Sequence, residues 1–219
     1  AGVILSGDCA HLSGLKADYE SLKTLLDPLS AAQLPVHLLM GNHDDRTTLG
    51  EVLSRKTSEA VQSRYVTVQE TPLANWFLLD SLGQTNATPG ALGEAQLAWL
   101  EKELDARVGK PAIVVVHHNI VLGENKTALQ DSRALMEVLR PRRHVKACLY
   151  GHTHRWEQSQ DESGLHLINL PPTAYVFKPE FPNGWVLATL QPQAFQLELR
   201  CLNTAHPQHG EVKTFAWRV

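Results

Sequence analysis

Cysteine is scarce in this chain: Cys9, Cys148 and Cys201 are the only three among 219 residues. An odd number so widely spaced is no disulfide framework, and it fits a reducing compartment. Long apolar runs are missing too, and no stretch approaches the roughly 20 residues needed to span a bilayer. Basic excess is also absent. Twenty Lys and Arg against 23 Asp and Glu leave a net charge of −3, so no global basic field draws in nucleic acid or an anionic membrane. The one basic cluster, Arg140-Pro141-Arg142-Arg143-His144, reads as a solvated turn. The opening apolar run is short and follows no basic residue, so it lacks the pattern of a secretory signal. A cytoplasmic location is the provisional expectation. What is plentiful is histidine: 11 residues, several of them paired or beside glycine.

Hydrophobic residues at 43% and charged residues at 20% are enough to build one cored domain, and a single domain over residues 1–219 is expected. Residues 2–7 read as a strand. Residues 17–33 predict an amphipathic helix, with Tyr19, Leu22, Leu25, Leu26 and Leu29 at helical spacing and Pro28 near its end. A strand over 35–45 breaks at Gly41, and a helix follows over 46–63. Residues 64–69 and 75–81 read as a strand pair. A helix over 94–107 precedes a wholly apolar strand over 112–119, a helix over 131–141 and another apolar strand over 145–154. Short strands are expected over 165–170, 173–178, 184–190 and 194–202, and the last residues read as irregular. Alternating strands and helices followed by a run of strands predict an α/β architecture with two packed β-sheets.

Four apolar strands finish in polar residues: Asp8, then Asn42-His43-Asp44, then His117-His118, then His152-Thr153-His154. Side chains just past the carboxyl ends of strands converge on one crevice in open α/β folds. A mixed nitrogen and oxygen donor set suits Zn²⁺, Mn²⁺, Fe or Ni rather than a thiolate zinc site. On an extended backbone His152 and His154 would point the same way, to serve one metal or two adjacent ones. A carboxylate such as Asp8 can bridge two cations, and a pair of metals is the usual clamp for displacement at phosphorus. Each piece alone is weak, since Gly-Asn-His-Asp also makes a good turn. Four together, in order and all at strand tips, are hard to explain as turns.

The order Gly-Asp, Gly-Asn-His-Asp, His-His, Gly-His-Thr-His resembles the calcineurin-like metallophosphoesterases, over nearly the whole chain. Met40 to Arg46, residues 92–104 and the spacing from His117 to His152 look most like the class III cyclic-nucleotide phosphodiesterase branch. The resemblance implies an αββα sandwich, two packed sheets flanked by helices, with two metal ions, Mn, Fe or Zn, at the strand ends. It implies that Asp8 bridges the metals, that Asn42, His117 and His152 complete one, and that His154 binds the other. His43 would act on the phosphoryl group or the leaving oxygen, and Asp44 would orient His43. His118 and His11 are further candidates beside the site.

Three departures qualify this, the least of them His117-His118-Asn119-Ile120 in place of the family's more usual His-His-Pro-Pro. The family's Asp-x-His motif is absent from the chain, and His11 stands where the second motif has another Asp. The resemblance therefore implies that an N-terminal strand carrying Asp-x-His belongs before residue 1; a natural variant with a weakened metal is the other reading. The expected activity is metal-dependent hydrolysis of a small phosphoester, foremost a phosphodiester such as a cyclic nucleotide. A phosphomonoesterase or a non-catalytic metal-binding scaffold are the alternatives. Asp80 beside the site, Arg46 as a substrate contact, and Tyr175 and Phe177 as the lining of a substrate pocket stand against plainer readings, which are a strand-end cap or turn, a helix start and strand packing; the five tryptophans are expected to pack.

Overall fold

The wholly apolar run at 112–116 sets the architecture, because a strand of this kind needs neighbours on both edges and cover on both faces. The computed structural model describes residues 1–219 and places that run at the centre of a six-stranded sheet. The elements in chain order are β1 (Val3–Leu5), α1 (Lys16–Ala31), β2 (Val36–Leu38), α2 (Arg46–Leu53), β3 (Thr67–Glu70), β4 (Asn75–Leu78) and α3 (Glu94–Asp105). There follow β5 (Ala112–Val115), α4 (Ser132–Leu139), β6 (Val145–Tyr150), β7 (Glu157–Gln160), β8 (His166–Asn169), β9 (Gly184–Gln191), β10 (Ala194–Cys201) and β11 (Val212–Ala216).

The large sheet has the order β3-β4-β5-β6-β8-β7, with β4, β5, β6 and β8 parallel and the polar strands β3 and β7 antiparallel at the edges. Helices α3 and α4 cover one face. Leu100, Leu104, Leu135, Met136 and Leu139 pack there against Phe77, Val114, Val116 and Cys148. The antiparallel sheet β11-β10-β9 covers the other face. Phe195, Leu197, Leu199 and Cys201 alternate inward along β10 and meet Trp76, Ile113, Val115, Leu149 and Ile168. Each such Leu, Ile or Phe contributes about 1.5–3 kcal/mol by leaving water. The pair β1-β2 is parallel, and Ile4 and Leu39 join the same inter-sheet core. Tyr19 of α1 and Leu49 of α2 seal a smaller core with Met40 and Leu82.

The α/β class and the two packed sheets are as expected. Several details differ. β1 pairs with β2 alone, and its three residues are only half-buried. The helix expected over 46–63 stops at Leu53, where Ser54 turns left-handed (φ 53°) and donates its N–H to Gly50. Residues 173–178 form no strand. β7 and β11 are strands that polarity concealed. The outer face of the three-stranded sheet carries no helix and leaves Trp185, Leu187 and Val212 exposed, so Trp185 is the one tryptophan that does not pack inward.

Two buried charges tie the layers together. Asp80, just past β4, is fully buried and accepts a fork from Arg46 at 2.8 and 2.7 Å. It also accepts from the N–H of Tyr65 and of Leu82. Gln96 of α3 clasps the Asp80 backbone, donating to its carbonyl and accepting its N–H, both at 2.8 Å. So Asp80 is a hub and Arg46 its partner at the start of α2. Arg218 lies behind the large sheet and forks onto the carbonyls of Leu139, Arg142 and Val145 at 2.7–2.9 Å. It thereby satisfies the C-terminal end of α4, where a cation is favoured.

Removing either group strands buried partners. Arg218→Ala lowers stability by about 2–3 kcal/mol, and Arg218→Lys recovers only part of it because an ammonium cannot fork. Asp80→Asn costs about 2–4 kcal/mol by leaving Arg46 unpaired. Urea melts followed by circular dichroism read both losses.

Candidate functional site

The carboxyl ends of β1, β2, β5 and β6 meet at one cavity of about 570 Å³. Asp8, Asn42, His43, His152 and His154 line it. His117 and His118 lie buried behind this lining, with 4% and 0% exposure, His117 against Asp8 and His118 against the His152 ring. The seam is tight for a sequence reason. Gly41 ends β2 against Asp8, and a Cβ there would overlap the Asp8 carboxylate. Gly7 (φ 98°) turns β1 so that the next residue can face the seam; a Cβ on it would stand 2.6 Å from His117 Nδ1.

Asp8 joins the strand ends. Its Oδ1 accepts the His43 N–H at 3.0 Å, and its Oδ2 lies 3.3 Å from His117 Nε2. Burial alone would raise the Asp8 carboxyl, but the His117 ring and the His43 N–H outweigh it and hold Asp8 well below the usual carboxylate range. The same contact raises His117 against the opposing effect of burial. His117 donates from Nδ1 to the Ser6 carbonyl at 2.8 Å, which leaves Nε2 toward Asp8. His152 is anchored alike, with Nε2 at 2.9 Å from the Thr127 carbonyl. In its neutral form, a ring that gives one N–H to a backbone carbonyl keeps the other nitrogen as a fixed lone pair, the usual support for a metal-binding imidazole. Burial and the nearby His117 charge lower His152 to about 4, and burial lowers His154, so both are neutral donors at pH 7.

Backbone strain concentrates here. Seven non-glycine residues have positive φ, and four of them, Asp8, Asn86, His152 and His154, line the cavity. Each left-handed residue of this kind costs on the order of 1–3 kcal/mol, which the surrounding packing sustains. The extended backbone expected across Gly-His-Thr-His is therefore not found, because φ is 68° at His152 and 54° at His154. Instead the two rings part. His152 meets His117 and His118, with centroids 5.3 and 4.7 Å away, while His154 lies between Tyr175 and Phe177.

Unpartnered atoms mark what the cavity accepts. Asn42 Oδ1 and His154 Nδ1 are buried and make no hydrogen bond, and the buried His117 Nε2 faces the Asp8 carboxylate alone, at 3.3 Å. Leaving such groups unpaired is costly, on the order of 1–3 kcal/mol each. With the Asp8 carboxylate they form an oxygen and imidazole set that fits a transition-metal cation. Ring nitrogens of His117, His118 and His152 also cluster within 4.8 Å. His118 is the odd member. Its Nδ1 meets the Ser81 hydroxyl at 2.7 Å and its Nε2 the Thr88 carbonyl at 3.1 Å, so neither nitrogen is free. Burial pushes its ring down to about 2, which keeps it neutral.

Two expected roles need correction. Asp44 does not touch the His43 ring. It is fully buried and accepts from the N–H of Gly41 (2.9 Å) and Ala10 (3.1 Å) and from the Tyr19 hydroxyl (3.1 Å), which locks the β1 and β2 tips together. Burial raises its carboxyl to about 6 against the Gly41 bond. The group that orients His43 is the Leu12 carbonyl, 2.8 Å from Nδ1. His11 points away: it is exposed, lies outside the cavity lining, and its N–H meets Asp18. Polar side chains on loops complete the lining, among them Asn86, Thr88, Asn119 and Asn125. Sequence reasoning passed over them because no spacing marks loop amides; only Asn119, directly after His117-His118, stood next to a motif.

The sequence profile of the calcineurin-like phosphoesterase family matches residues 2–156. The chain is 33% identical to the 3′,5′-cyclic adenosine monophosphate phosphodiesterase CpdA of Haemophilus influenzae, across 75% of this chain and 59% of that protein. It is 32% identical to the protein of that name from Escherichia coli, across 92% of this chain and 71% of that one. A probable cyclic nucleotide phosphodiesterase of Ruthia magnifica is 27% identical across 86% of this chain and 76% of its own length. Among solved structures, a dimetal phosphatase from Danio rerio shares the fold with a TM-score of 0.71 at 18% identity, over 92% of this chain and 79% of that one. The histidine-lined seam and these likenesses agree: the chain belongs to the calcineurin-like phosphoesterase family.

Proposed function

We propose that this chain hydrolyses phosphodiesters, with cyclic nucleotides the foremost substrate class, using metal ions held at the seam. The observation that carries the reading is the convergence on the cavity of Asn42 Oδ1 and His154 Nδ1, both unpartnered, beside Asp8, whose carboxylate meets His117 Nε2. The names of the relatives support the substrate class. Asp8 would bridge two positions. Asn42, His117 and His152 would serve one and His154 the other, and Mn, Fe or Zn suit such donors. A cation bound there supplies Lewis acidity and brings a coordinated water to a pKa near 7.

The chain's own groups do the rest. Lys178 at the cavity wall attracts the phosphate anion, beside Arg155, whose guanidinium is paired with Glu157. Asn86 and Asn119 offer amide donors for its oxygens. His43 has Nδ1 committed to Leu12, so Nε2 is the nitrogen left to hold a proton for the departing oxygen. Asp44 and Tyr19 fix the backbone from which His43 projects. His118 braces the lining from behind through Ser81 and Thr88.

Chelation followed by gel filtration abolishes hydrolysis of bis(p-nitrophenyl) phosphate, and Mn²⁺ restores it. His43→Ala keeps its metal and loses about 10²- to 10⁴-fold in kcat. His117→Ala loses bound metal by elemental analysis, whereas His118→Ala keeps it and melts at a lower temperature. Absence of hydrolysis of every phosphoester tried, with Mn, Fe or Zn supplied, would leave a metal-binding scaffold instead.

A further inference from the structure

The segment after β8 reads Leu170-Pro171-Pro172-Thr173-Ala174-Tyr175-Val176-Phe177, and 173–178 has the composition of a strand. It forms none. It runs along the cavity and turns its rings outward, with Tyr175 54% and Phe177 64% exposed. Single exposed apolar residues are ordinary. These two adjoin each other with centroids 5.7 Å apart and planes at 80°, and both line the same cavity as the unpartnered donors.

Each ring has one side occupied. Phe177 stacks on His154 at 4.5 Å and 13°, and Tyr175 meets the same imidazole edge-on at 4.6 Å. The remaining surfaces form an aromatic corner open to the cavity. The loop holding them is pinned rather than loose. Gly184 donates its N–H to Pro172 at 2.8 Å, and the Asn183 amide donates to Ala174 at 3.1 Å. Pro171, Pro172, Pro179 and Pro182 restrict its backbone further. The cavity also carries the Asn125 side chain, whose oxygen is held by Thr127 and Ala128 and whose NH₂ can donate to the polar edge of a planar ring. At about 570 Å³ it is far larger than a phosphate requires.

We infer that Tyr175 and Phe177 form a stacking wall for the planar base of a nucleotide whose phosphate sits at the seam, and that this wall makes the site prefer base-bearing phosphoesters. This rests on the phosphoester reading of the same site. Stacking on an aromatic side chain is sequence-tolerant because every base has a π-face, so the wall selects for a base and not for one base.

Isothermal titration calorimetry of the Mn²⁺-loaded protein with AMP and with ribose 5-phosphate tests it. The wild type binds AMP roughly 5- to 150-fold more tightly than ribose 5-phosphate, the range expected for one base–aromatic stack. Tyr175→Ala and Phe177→Ala each shrink that ratio, the double variant brings it near one, and Tyr175→Phe preserves it. Hypochromism of the adenine band on binding reports the stack directly and vanishes in the double variant. Melting curves confirm that the loop variants fold. Equal binding of the two probes by the wild type, or an unchanged ratio in the double variant, overturns the inference. So does a concentration-dependent dimer that buries both rings. Hydrolysis of nitrophenyl and glycerol phosphodiesters is scored separately. Activity with a ratio of one removes the wall alone, while a preserved ratio without activity removes the hydrolytic reading and leaves a nucleotide-binding site.

Discussion

The contact between the Asp8 carboxylate and the His117 ring, with the His43 N–H on the other carboxylate oxygen, is the constraint on which the site depends. Asp8 stands at the end of the β1-β2 pair and His117 at the end of the central strand of the large sheet. Their meeting brings two sheets into one seam and sets where the β2 tip must lie. The glycines at 7 and 41 are there because nothing larger fits so close an approach. Asp44 then fastens the two tips from behind, through Gly41, Ala10 and Tyr19. A buried carboxylate that is raised to about 6 is an expensive fastener, and its three donors are what make it tolerable.

Around this seam the fold accepts local cost for position. Four cavity residues sit in the left-handed region, and buried Asn42 Oδ1 and His154 Nδ1 lack partners. The cost is carried by regular packing elsewhere, in the two large apolar clusters on either face of the central sheet and in the Asp80 and Arg218 hubs.

Much of this was legible in the amino-acid order. The apolar strands and the polar residues at their tips stood out because a parallel strand buried on both faces leaves almost no polar residue until it ends. Histidines 117, 152 and 154, with Asp8 and Asn42, were found that way. β7 was not, since Glu157-Gln158-Ser159-Gln160 is an edge strand with no apolar alternation to betray it. The helix over 46–63 was overread because Ser54 adopts a left-handed turn that propensity does not announce. Residues 173–178 read first as a packed strand and second, through Tyr175 and Phe177, as a pocket lining; their rings are turned to the cavity rather than to a core.

By itself the sequence determined the class of fold, the order of its apolar strands and the chemical character of their tips, because burial patterns and donor types are local properties of the chain. Only the tertiary structure decided which tips share a wall. It separated His117, whose Nε2 faces the Asp8 carboxylate, from His118, whose ring nitrogens are both engaged by Ser81 and Thr88. It gave the orientation of His43 to a backbone carbonyl at Leu12 and not to the adjacent Asp44, and it sent His11 outward. These choices depend on contacts between residues tens of positions apart, and no spacing along the chain encodes the angle at which two strand ends meet.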